Sequence, residues 1–408
     1  MKIKLKVTLI SCATSISALG QGLYYIPNDT EESIPIVWSA GVNAVYDSNT
    51  NPTAAGPEDE TFSLNPFVGL SFVSQTPQTT WDVFARLGMV YYLERPTAPG
   101  SEEIYPQTNA GVNLTHRFNE RLRLVSRNAI SYQLEPEYSY GFAASRQAGE
   151  YLFWNTDNAL GYRWTERFAT YTGFKLTGLE YQDTPNSDRF TWMLYNQFRY
   201  QLSPQTVATS TYRYSQTEAG GVASDSTNQY LLVGLEHRFS PNTIFVGSAG
   251  AQFRDYDGAN GDTGTNAFFE LTLRSQVNQQ FTVSAFARYS AEFYDNVQTV
   301  GGVVTEYDNK PTLRIGGKAS YQLSQDLSFF GGLNLINTNY EDGRGAVAPF
   351  PAQPDQNEFL INAYIGASLK LTDYLYGSLT YNFTNGDSDL PNRNYDRSRI
   401  SIGLNAEF

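Results

Sequence analysis

Long segments of this chain alternate between apolar and polar residues, and this alternation restricts the fold more than any other feature of the sequence. Between positions 190 and 202 the even positions are Phe190, Trp192, Leu194, Asn196, Phe198, Tyr200 and Leu202. The odd positions between them are Thr191, Met193, Tyr195, Gln197, Arg199 and Gln201. A period of two places the two sets on opposite faces of a β-strand, whereas a helix would scatter them. We therefore predict strands that have one apolar face.

A short phrase recurs between these segments, at spacings of 37 to 48 residues. In each copy a long polar residue precedes an apolar one, and Asn, Ser or Thr then opens a tight turn. The copies begin at Arg117, Arg163, Gln201, Arg238, Gln276, Gln322 and Lys370. Repeats of this length also occur in solenoids and propellers, but the alternating segments favour strand hairpins.

The whole chain after its N-terminal region divides into about 18 alternating segments of roughly 10 to 14 residues, the length of membrane-spanning strands. Their predicted starts are Ile36, Phe62, Trp81, Thr108, Leu122, Tyr151, Phe168, Arg189, Thr206, Gln229, Thr243, Ala267, Phe281, Thr312, Leu327, Phe359, Tyr374 and Arg399. Short turns alternate with long polar loops such as 47–61, 296–310 and 341–357. An even number of strands with this asymmetry is typical of outer-membrane barrels. The predicted fold is all-β: a transmembrane antiparallel up-and-down β-barrel of about 18 strands (16 to 18 fit the pattern), with short periplasmic turns and long extracellular loops.

The apolar faces of such a barrel are expected to point outward. A soluble barrel this wide would enclose an oily interior that its side chains could not fill. A membrane barrel turns the apolar face to lipid and pairs every backbone group through closure. The formal net charge of −13 argues against nucleic acid as a partner. One Cys and two His leave no material for a zinc site, so we predict no metal and no cofactor.

Both ends of the sequence point to export and membrane assembly. Lys2, Lys4 and Lys6 precede a short apolar run that ends in small residues, which is typical of a Sec-type signal peptide. We predict a signal peptide over 1–20, a short periplasmic tail over 21–35 and one barrel domain over 36–408. The last segment alternates and stops at Phe408, and a final aromatic residue resembles the assembly signal of Gram-negative outer-membrane proteins. Barrel-assembly machinery, outer-membrane lipids and lipopolysaccharide are therefore expected partners.

The first predicted hairpin carries a more specific resemblance. The stretch 36–42 leads to Tyr46-Asp47-Ser48-Asn49, which is followed by Asp59 and by Leu64-Asn65-Pro66. These motifs resemble a beta-barrel porin family of bacterial outer-membrane proteins, some members of which are linked to exopolysaccharide export. The match covers about 30 residues, and the strand and turn pattern extends it along the chain. The resemblance brings no catalytic residues with it.

Strand parity also gives each charged side chain a predicted direction. The predicted lumen-lining residues are Arg86, Arg123, Arg127, Arg199, Arg213, Arg254, Arg274, Arg288, Arg314 and Lys318. The predicted periplasmic mouth, two residues before each short turn, consists of Arg117, Arg163, Gln201, Arg238, Gln276, Gln322 and Lys370. The inward carboxylates are fewer: Asp82, Asp157, Glu236, Glu270, Glu292 and Glu407. A basic lining would favour anionic solutes, although the same arginines could instead brace the wall by pairing with acids.

Three functions remain open from the sequence. The first is a porin-like passive diffusion channel for small hydrophilic solutes that favours anions. The second is a barrel associated with exopolysaccharide export or secretion, and the third is a non-conducting structural or adhesive barrel. We do not predict an enzyme, because His116 and His237, the available general bases, both fall on the apolar face. The oligomeric state is left open, a homo-oligomer being one expected arrangement.

Overall fold

The computed structural model describes residues 34–50, 59–97, 101–134, 150–182, 188–221, 223–257, 263–292, 296–345, 351–391 and 393–408. The predicted signal peptide (1–20) and the predicted tail as far as residue 33 lie outside the described residues. Strand β1 begins at Ile34, two residues before the predicted start of the barrel. In the part of the chain that is described, no helix has the length and apolar character needed to cross a membrane.

The described residues form long strands joined by turns and loops. The strands are β1 (Ile34–Asp47), β2 (Thr61–Gln75), β3 (Thr79–Tyr92), β4 (Ile104–Arg117), β5 (Leu122–Gln133), β6 (Tyr151–Arg163), β7 (Phe168–Tyr181), β8 (Arg189–Ser203), β9 (Thr206–Ala219), β10 (Ser226–Ser240), β11 (Thr243–Tyr256), β12 (Thr263–Gln276), β13 (Phe281–Ala291), β14 (Val297–Val300), β15 (Val303–Asn309), β16 (Pro311–Gln322), β17 (Leu327–Gly345), β18 (Ala352–Gln353), β19 (Gln356–Lys370), β20 (Leu375–Ser388) and β21 (Tyr395–Glu407).

Eighteen of these strands close into one antiparallel barrel, which confirms the predicted fold class. The wall runs from β1 to β13, continues through β16, β17, β19 and β20 to β21, and returns to β1. At the closing seam, Trp38 and Phe408 exchange backbone hydrogen bonds of 3.1 and 2.8 Å. Within the described residues, each of the 18 barrel strands therefore pairs with a neighbour on both sides, as a strand structure in lipid requires.

The recurring phrase forms the short turns, as predicted. In the turn between β4 and β5, the Asn119 side-chain oxygen accepts hydrogen bonds from the backbone N–H groups of Arg121 and Leu122. The side chains of Thr165, Asn278, Ser324 and Thr372 accept equivalent bonds in their own turns. A short side chain that carries an oxygen is therefore favourable at this position, because it satisfies backbone donors that the tight turn leaves unpaired.

The predicted strand starts agree with the structure for all 18 barrel strands, to within four residues. The largest differences occur where β4, β12 and β21 begin four residues early, at Ile104, Thr263 and Tyr395. These extensions lie on the long-loop side of the barrel. On β12 and β21 the added outward residues are polar, because strands that project beyond the lipid need no apolar outer face. On β4 they are Ile104 and Pro106, so this reason does not apply there.

The long segment 296–310, predicted as a polar loop, contains the hairpin β14–β15. Its turn is Gly301-Gly302, whose φ angles of 56° and 81° are both positive. Positive φ at both central residues defines the type I′ turn that suits a two-residue hairpin, and glycine adopts it without strain. The sequence did hold this signal, because Val300 and Val303 flank the glycine pair.

The hairpin belongs to a small second sheet above the long-loop end of the barrel. Strand β15 pairs with the end of β17, and β18 pairs with β17 on its other side. Tyr307 and Tyr340 pack edge-on at 5.3 Å within this sheet, and Leu390 completes the buried group. Burial raises the pKa of the Tyr307 hydroxyl, and the Asp355 carboxylate adds to the shift.

Candidate functional site: the barrel lumen

The inward face of the barrel is polar and the outward face is apolar. On β8 the side chains of Arg199 and Leu194 are 2% and 55% exposed, respectively. Buried residues of β8 share the parity of Arg199, and exposed ones such as Tyr200 share that of Leu194. This distribution inverts that of a soluble protein, in which large apolar side chains fill the interior. The candidate functional site is therefore the lumen that these polar faces enclose.

All ten predicted lumen residues occupy inward positions of their strands, as the alternation of burial and the strand registers place them. They are not spread evenly around the wall. Arg86 lies apart on β3, with its guanidinium 3.6 Å from the centre of the Phe67 ring. The other nine lie on strands between β5 and β16, which form one continuous side of the barrel.

The first group of contacts centres on a buried ion pair between β8 and β10. Arg199 donates two hydrogen bonds to the Glu236 carboxylate, at 2.5 and 2.7 Å, and a third to Gln197 at 2.9 Å. The Tyr171 hydroxyl interacts with Arg123, which extends the group to β5. Gly161 allows this approach, since a Cβ there would meet the Tyr171 ring at 2.5 Å.

A second group lies along β5, β6 and β7, where opposite charges face each other in register. Asp157 pairs with Arg127 on one side and with Lys175 on the other. The Tyr195 hydroxyl of β8 donates a 2.7 Å hydrogen bond to Asp157. The Tyr195 ring passes over β7 to do so, and it fits because Gly173 has no side chain there.

The third group continues the basic wall through β9, β12, β13 and β16. Arg213 lies 3.9 Å from the Glu270 carboxylate. Arg288 of β13 is paired in register with Glu270 on one side and with Arg314 on the other. Closer to the short turns, Ser284 is flanked in register by Arg274 and by Lys318. Basic side chains thus follow one another along the wall, with single carboxylates between them.

A fourth group lies at the long-loop end, around Glu292. Arg314 donates hydrogen bonds of 2.8 Å to both carboxylate oxygens of Glu292. Arg254 reaches the Glu292 backbone carbonyl at 3.3 Å, and its guanidinium lies 4.1 Å from the centre of the Tyr256 ring. This group fixes the start of the segment that carries the β14–β15 hairpin.

That segment reaches across the lumen end to strands that are not its neighbours in the wall. Asn296 accepts a 3.0 Å hydrogen bond from Arg189 of β8. Glu306 of β15 accepts hydrogen bonds from the backbone and hydroxyl of Ser224, in the loop between β9 and β10. The segment that carries the hairpin is therefore hydrogen-bonded to β8 and to the loop between β9 and β10. It covers part of the entrance to the lumen at the long-loop end.

The remaining wall, from β17 through β21 to β2, is mostly neutral in its middle section. Asn362 lies at its centre and donates hydrogen bonds to Asn382 at 3.2 Å and to Thr384 at 2.9 Å. Asn334 donates to Asn362 from the neighbouring strand at 3.4 Å. The lumen is consequently asymmetric, with a basic wall facing a wall of amides, hydroxyls and glycines.

The predicted periplasmic mouth residues occupy one structurally equivalent layer. Each one donates its backbone N–H to a carbonyl of the preceding turn, for example Arg163 to Arg121 at 2.9 Å and Arg238 to Gln205 at 2.9 Å. The bonds of Arg117, Gln201, Gln276, Gln322 and Lys370 follow the same rule. Glu407 is the eighth residue of this layer, because its backbone N–H donates to the Tyr374 carbonyl in the same way. Backbone atoms make these bonds, and two of the side chains have contacts of their own. Gln322 donates to the Ser324 carbonyl at 2.6 Å, and Lys370 forms an ion pair with Asp373 at 2.8 Å.

Several inward charged residues were missing from the prediction. Arg189 has the parity of the predicted lumen residue Arg199, and Arg397 has that of Glu407, which was predicted to point inward, so the alternation could have identified both. Arg397 forms a buried ion pair with Asp47 across the closing seam, at 2.5 Å. Lys310 and Arg393 lie in loops, where no alternation exists to indicate a direction, and Arg393 pairs with Glu358 at 3.0 Å.

The two histidines have structural contacts on the outer face. His116 and Thr79 are joined by a 2.8 Å hydrogen bond, and the ring packs edge-on against Phe118. His237 repeats this arrangement with Thr206 and Phe239. Within the described residues, no group of three or more His, Cys, Asp and Glu side chains could hold a metal ion.

Comparisons with known proteins give distant structural neighbours only. No family model matches the sequence, and no curated protein matches it. OccAB4 of Acinetobacter baumannii aligns over 93% of this chain and 100% of its own, at 12% identity and a TM-score of 0.44. OccK2 (OpdF) of Pseudomonas aeruginosa, solved in complex with glucuronate, aligns over 93% and 99%, at 10% and 0.45. A BenF-like porin of Pseudomonas fluorescens Pf-5 aligns over 93% and 99%, at 10% and 0.46. Likeness at this distance does not identify a solute, so the proposals below rest on this chain's own residues.

Proposed function

We propose that this protein is a passive diffusion channel of the bacterial outer membrane, for small hydrophilic solutes, with a lumen that favours anions. One observation carries the proposal: a closed 18-strand barrel has its apolar side chains outside and a continuous basic wall inside. Barrels of about 16 to 18 strands are wide enough to leave an aqueous channel. The outward apolar face supports a membrane location, because lipid would cover it there.

The direction of selectivity follows from the charges of the lumen. Basic side chains between β5 and β16 outnumber the carboxylates among them, and the opposite wall is mostly neutral. Such a lining raises the local concentration of anions and lowers that of cations. Glu236, Asp157, Glu270 and Glu292 neutralise part of the basic charge. We therefore expect weak rather than strict anion selectivity.

No catalytic step is part of the proposal. Each histidine contacts a threonine hydroxyl and a phenylalanine ring on the outer face, away from the lumen. An export-associated barrel and a non-conducting barrel are the alternatives. The amount of current that passes distinguishes them from a porin-like channel.

The test is a reversal-potential measurement in a planar bilayer under a KCl gradient. The wild-type barrel should conduct, and its reversal potential should show chloride to be more permeant than potassium. Replacing Arg274 and Lys318 by Gln should move the reversal potential toward zero, because both charges flank Ser284 in the lumen.

The matched control replaces Arg121 and Arg167 by Gln, which removes the same charge from exposed periplasmic turns. This control should shift the reversal potential less than the lumen variant does. Potassium preference of the wild-type protein would overturn the anion proposal. If a folded barrel passes no current, the proposal that it is a diffusion channel is wrong.

A further inference from the structure

A group of polar side chains lies on the outer, lipid-facing side of four adjacent strands, where apolar residues are expected. We refer to it as the outer polar patch, which consists of Ser126 and Asn128 (β5), Thr156 and Asn158 (β6), Thr172 (β7) and Asn196 (β8). Their parity is opposite to that of Arg127, Asp157 and Arg199, which face the lumen. They therefore point away from the channel and belong to no part of the site described above.

Four members of the patch form a closed ring of hydrogen bonds. Ser126 donates to Asn158 at 2.6 Å, and Asn158 donates to Thr156 at 2.7 Å. Thr156 donates to Asn128 at 2.5 Å, and Asn128 donates back to Ser126 at 3.0 Å. Each group gives one bond and accepts one. The second N–H of each asparagine is left over, because an amide carries two donors.

The patch continues toward β8 with unsatisfied hydrogen-bonding capacity. Asn196 donates to the Thr172 hydroxyl at 2.6 Å. The side-chain oxygen of Asn196 is buried and has no hydrogen-bond partner. A buried acceptor without a partner is costly, so the hydrogen-bonding groups of the patch are not fully satisfied within the chain.

The patch lies within the apolar band of the barrel. On β6, Trp154 and Tyr162 are the outward aromatic residues on either side of Thr156 and Asn158. Aromatic residues of this kind mark the two membrane–water boundaries. The ring of hydrogen bonds therefore faces the hydrocarbon layer, where neither water nor headgroups would satisfy it.

Other strands are apolar at the corresponding outward positions. Strand β19 has Ala363, Ile365 and Ala367 there, and Ile365 is 64% exposed. Among the described strands, the other outward amides are Gln216, Gln229, Asn337, Asn339, Asn357 and Asn385, and these lie toward the long-loop ends. The outer polar patch is thus a local departure from the lipid-facing rule and not a general property of the wall.

We infer that the outer polar patch is the contact surface through which this barrel binds a second copy of itself. Lipid chains offer no hydrogen bonds, whereas Asn, Ser and Thr side chains join polypeptides within membranes. The patch carries both donors and acceptors, so a second identical patch supplies a matching set. The inference does not depend on what the channel carries.

The surroundings of the patch suit a contact between two barrels. Large apolar side chains border it and are about half exposed, among them Ile130, Leu160 and Leu194. With strands about 5 Å apart and an apolar band about 25 Å tall, the outer faces of β4 to β9 offer about 750 Å². A biological interface should bury at least about 500 Å² on each partner. A polar centre with an apolar rim of this size resembles an assembly surface more than a lipid contact.

The test is disulfide crosslinking in intact outer membranes. Cys12 is the only cysteine of the sequence and lies in the predicted signal peptide, so an introduced cysteine is diagnostic. The variant Asn128→Cys should give an oxidant-dependent dimer at twice the barrel mass. The matched control Ile365→Cys, an outward position of the opposite wall, should stay monomeric, as should the wild-type protein.

A second measurement keeps the inference testable if Asn128→Cys assembles poorly. Native mass spectrometry of gently solubilised barrels should show an oligomer for the wild-type protein. It should show monomers for a variant in which Ser126→Ala, Asn128→Leu, Thr156→Val and Asn158→Leu are combined and which remains heat-modifiable on gels. Equal crosslinking at both positions or a crosslink to a chain of different mass would overturn the proposal. So would a monomeric Asn128→Cys variant in the crosslinking assay together with a monomeric wild-type protein in native mass spectrometry.

Discussion

At the scale of single residues, the lumen is held by ion pairs that are almost completely buried. Arg199 and Glu236 are the clearest pair, because their side chains are 2% and 4% exposed and two hydrogen bonds join them. Removing one partner of a buried pair leaves the other charge without compensation, which costs far more than the pair contributes. These carboxylates therefore both brace the wall and reduce its positive charge.

We expect Glu236→Gln to lower the free energy of unfolding by about 3 kcal/mol, since Arg199 keeps its charge but loses its carboxylate. The same change should make the channel more anion-selective. Urea unfolding in detergent and reversal potentials in bilayers measure the two effects. Glu166→Gln, in an exposed turn, is the control that should change neither quantity appreciably. Unchanged stability in Glu236→Gln would show that the pair is dispensable.

At the scale of the elements, the short turns are the part of this fold that the local sequence specifies best. The side chain of Asn278 accepts hydrogen bonds from the N–H groups of Gln280 and Phe281, both at 2.8 Å. The same pattern recurs with Thr or Ser in other turns, which explains why the phrase repeats although the strands around it differ. The β14–β15 hairpin shows the opposite case, since a type I′ turn inside a polar loop carries no such phrase.

Asn278→Ala should destabilise the barrel by about 1 kcal/mol, because the turn loses two hydrogen bonds near water. Unfolding in urea, followed by tryptophan fluorescence, measures the loss. Gln279→Ala changes an exposed side chain of the same turn and should have an effect close to zero. If the two variants lose equal stability, the side-chain oxygen is not what stabilises the turn.

At the scale of the whole molecule, the barrel depends on the seam between its first and last strands. The backbone groups of Trp38 and Phe408 bond to each other, and the Phe408 ring stacks on Tyr374 at 6.5 Å. Only the ring contact depends on the side chain. The stability of the seam and the predicted assembly signal can therefore be separated experimentally.

Phe408→Ala should reduce stability in vitro by about 1 kcal/mol, the usual worth of an aromatic pair. If Phe408 is the assembly signal, the same change should also lower the fraction of the protein that is inserted in the membrane of cells, measured as the heat-modifiable band on gels. This decrease should be several-fold larger than the loss of stability explains. Phe408→Tyr should restore insertion. If the inserted fraction of Phe408→Ala falls no further than its loss of stability in vitro explains, Phe408 is not an assembly signal.

The sequence alone was enough to predict the 18 barrel strands, their inward and outward faces and the short turns, but it did not predict β14, β15 or β18. All of the predicted features depend on periodicity or on groups a few residues apart. The contacts between charged side chains could be seen only in the tertiary structure. Strand parity gives the direction of a side chain but not its position along the barrel axis relative to distant strands. The pairing of Arg199 with Glu236 across β9, the contact of the hairpin with Arg189 and the outer polar patch across four strands all depend on the stagger of a closed barrel. That stagger depends on the registers of all 18 strands together, so it cannot be predicted from the sequence of any one strand.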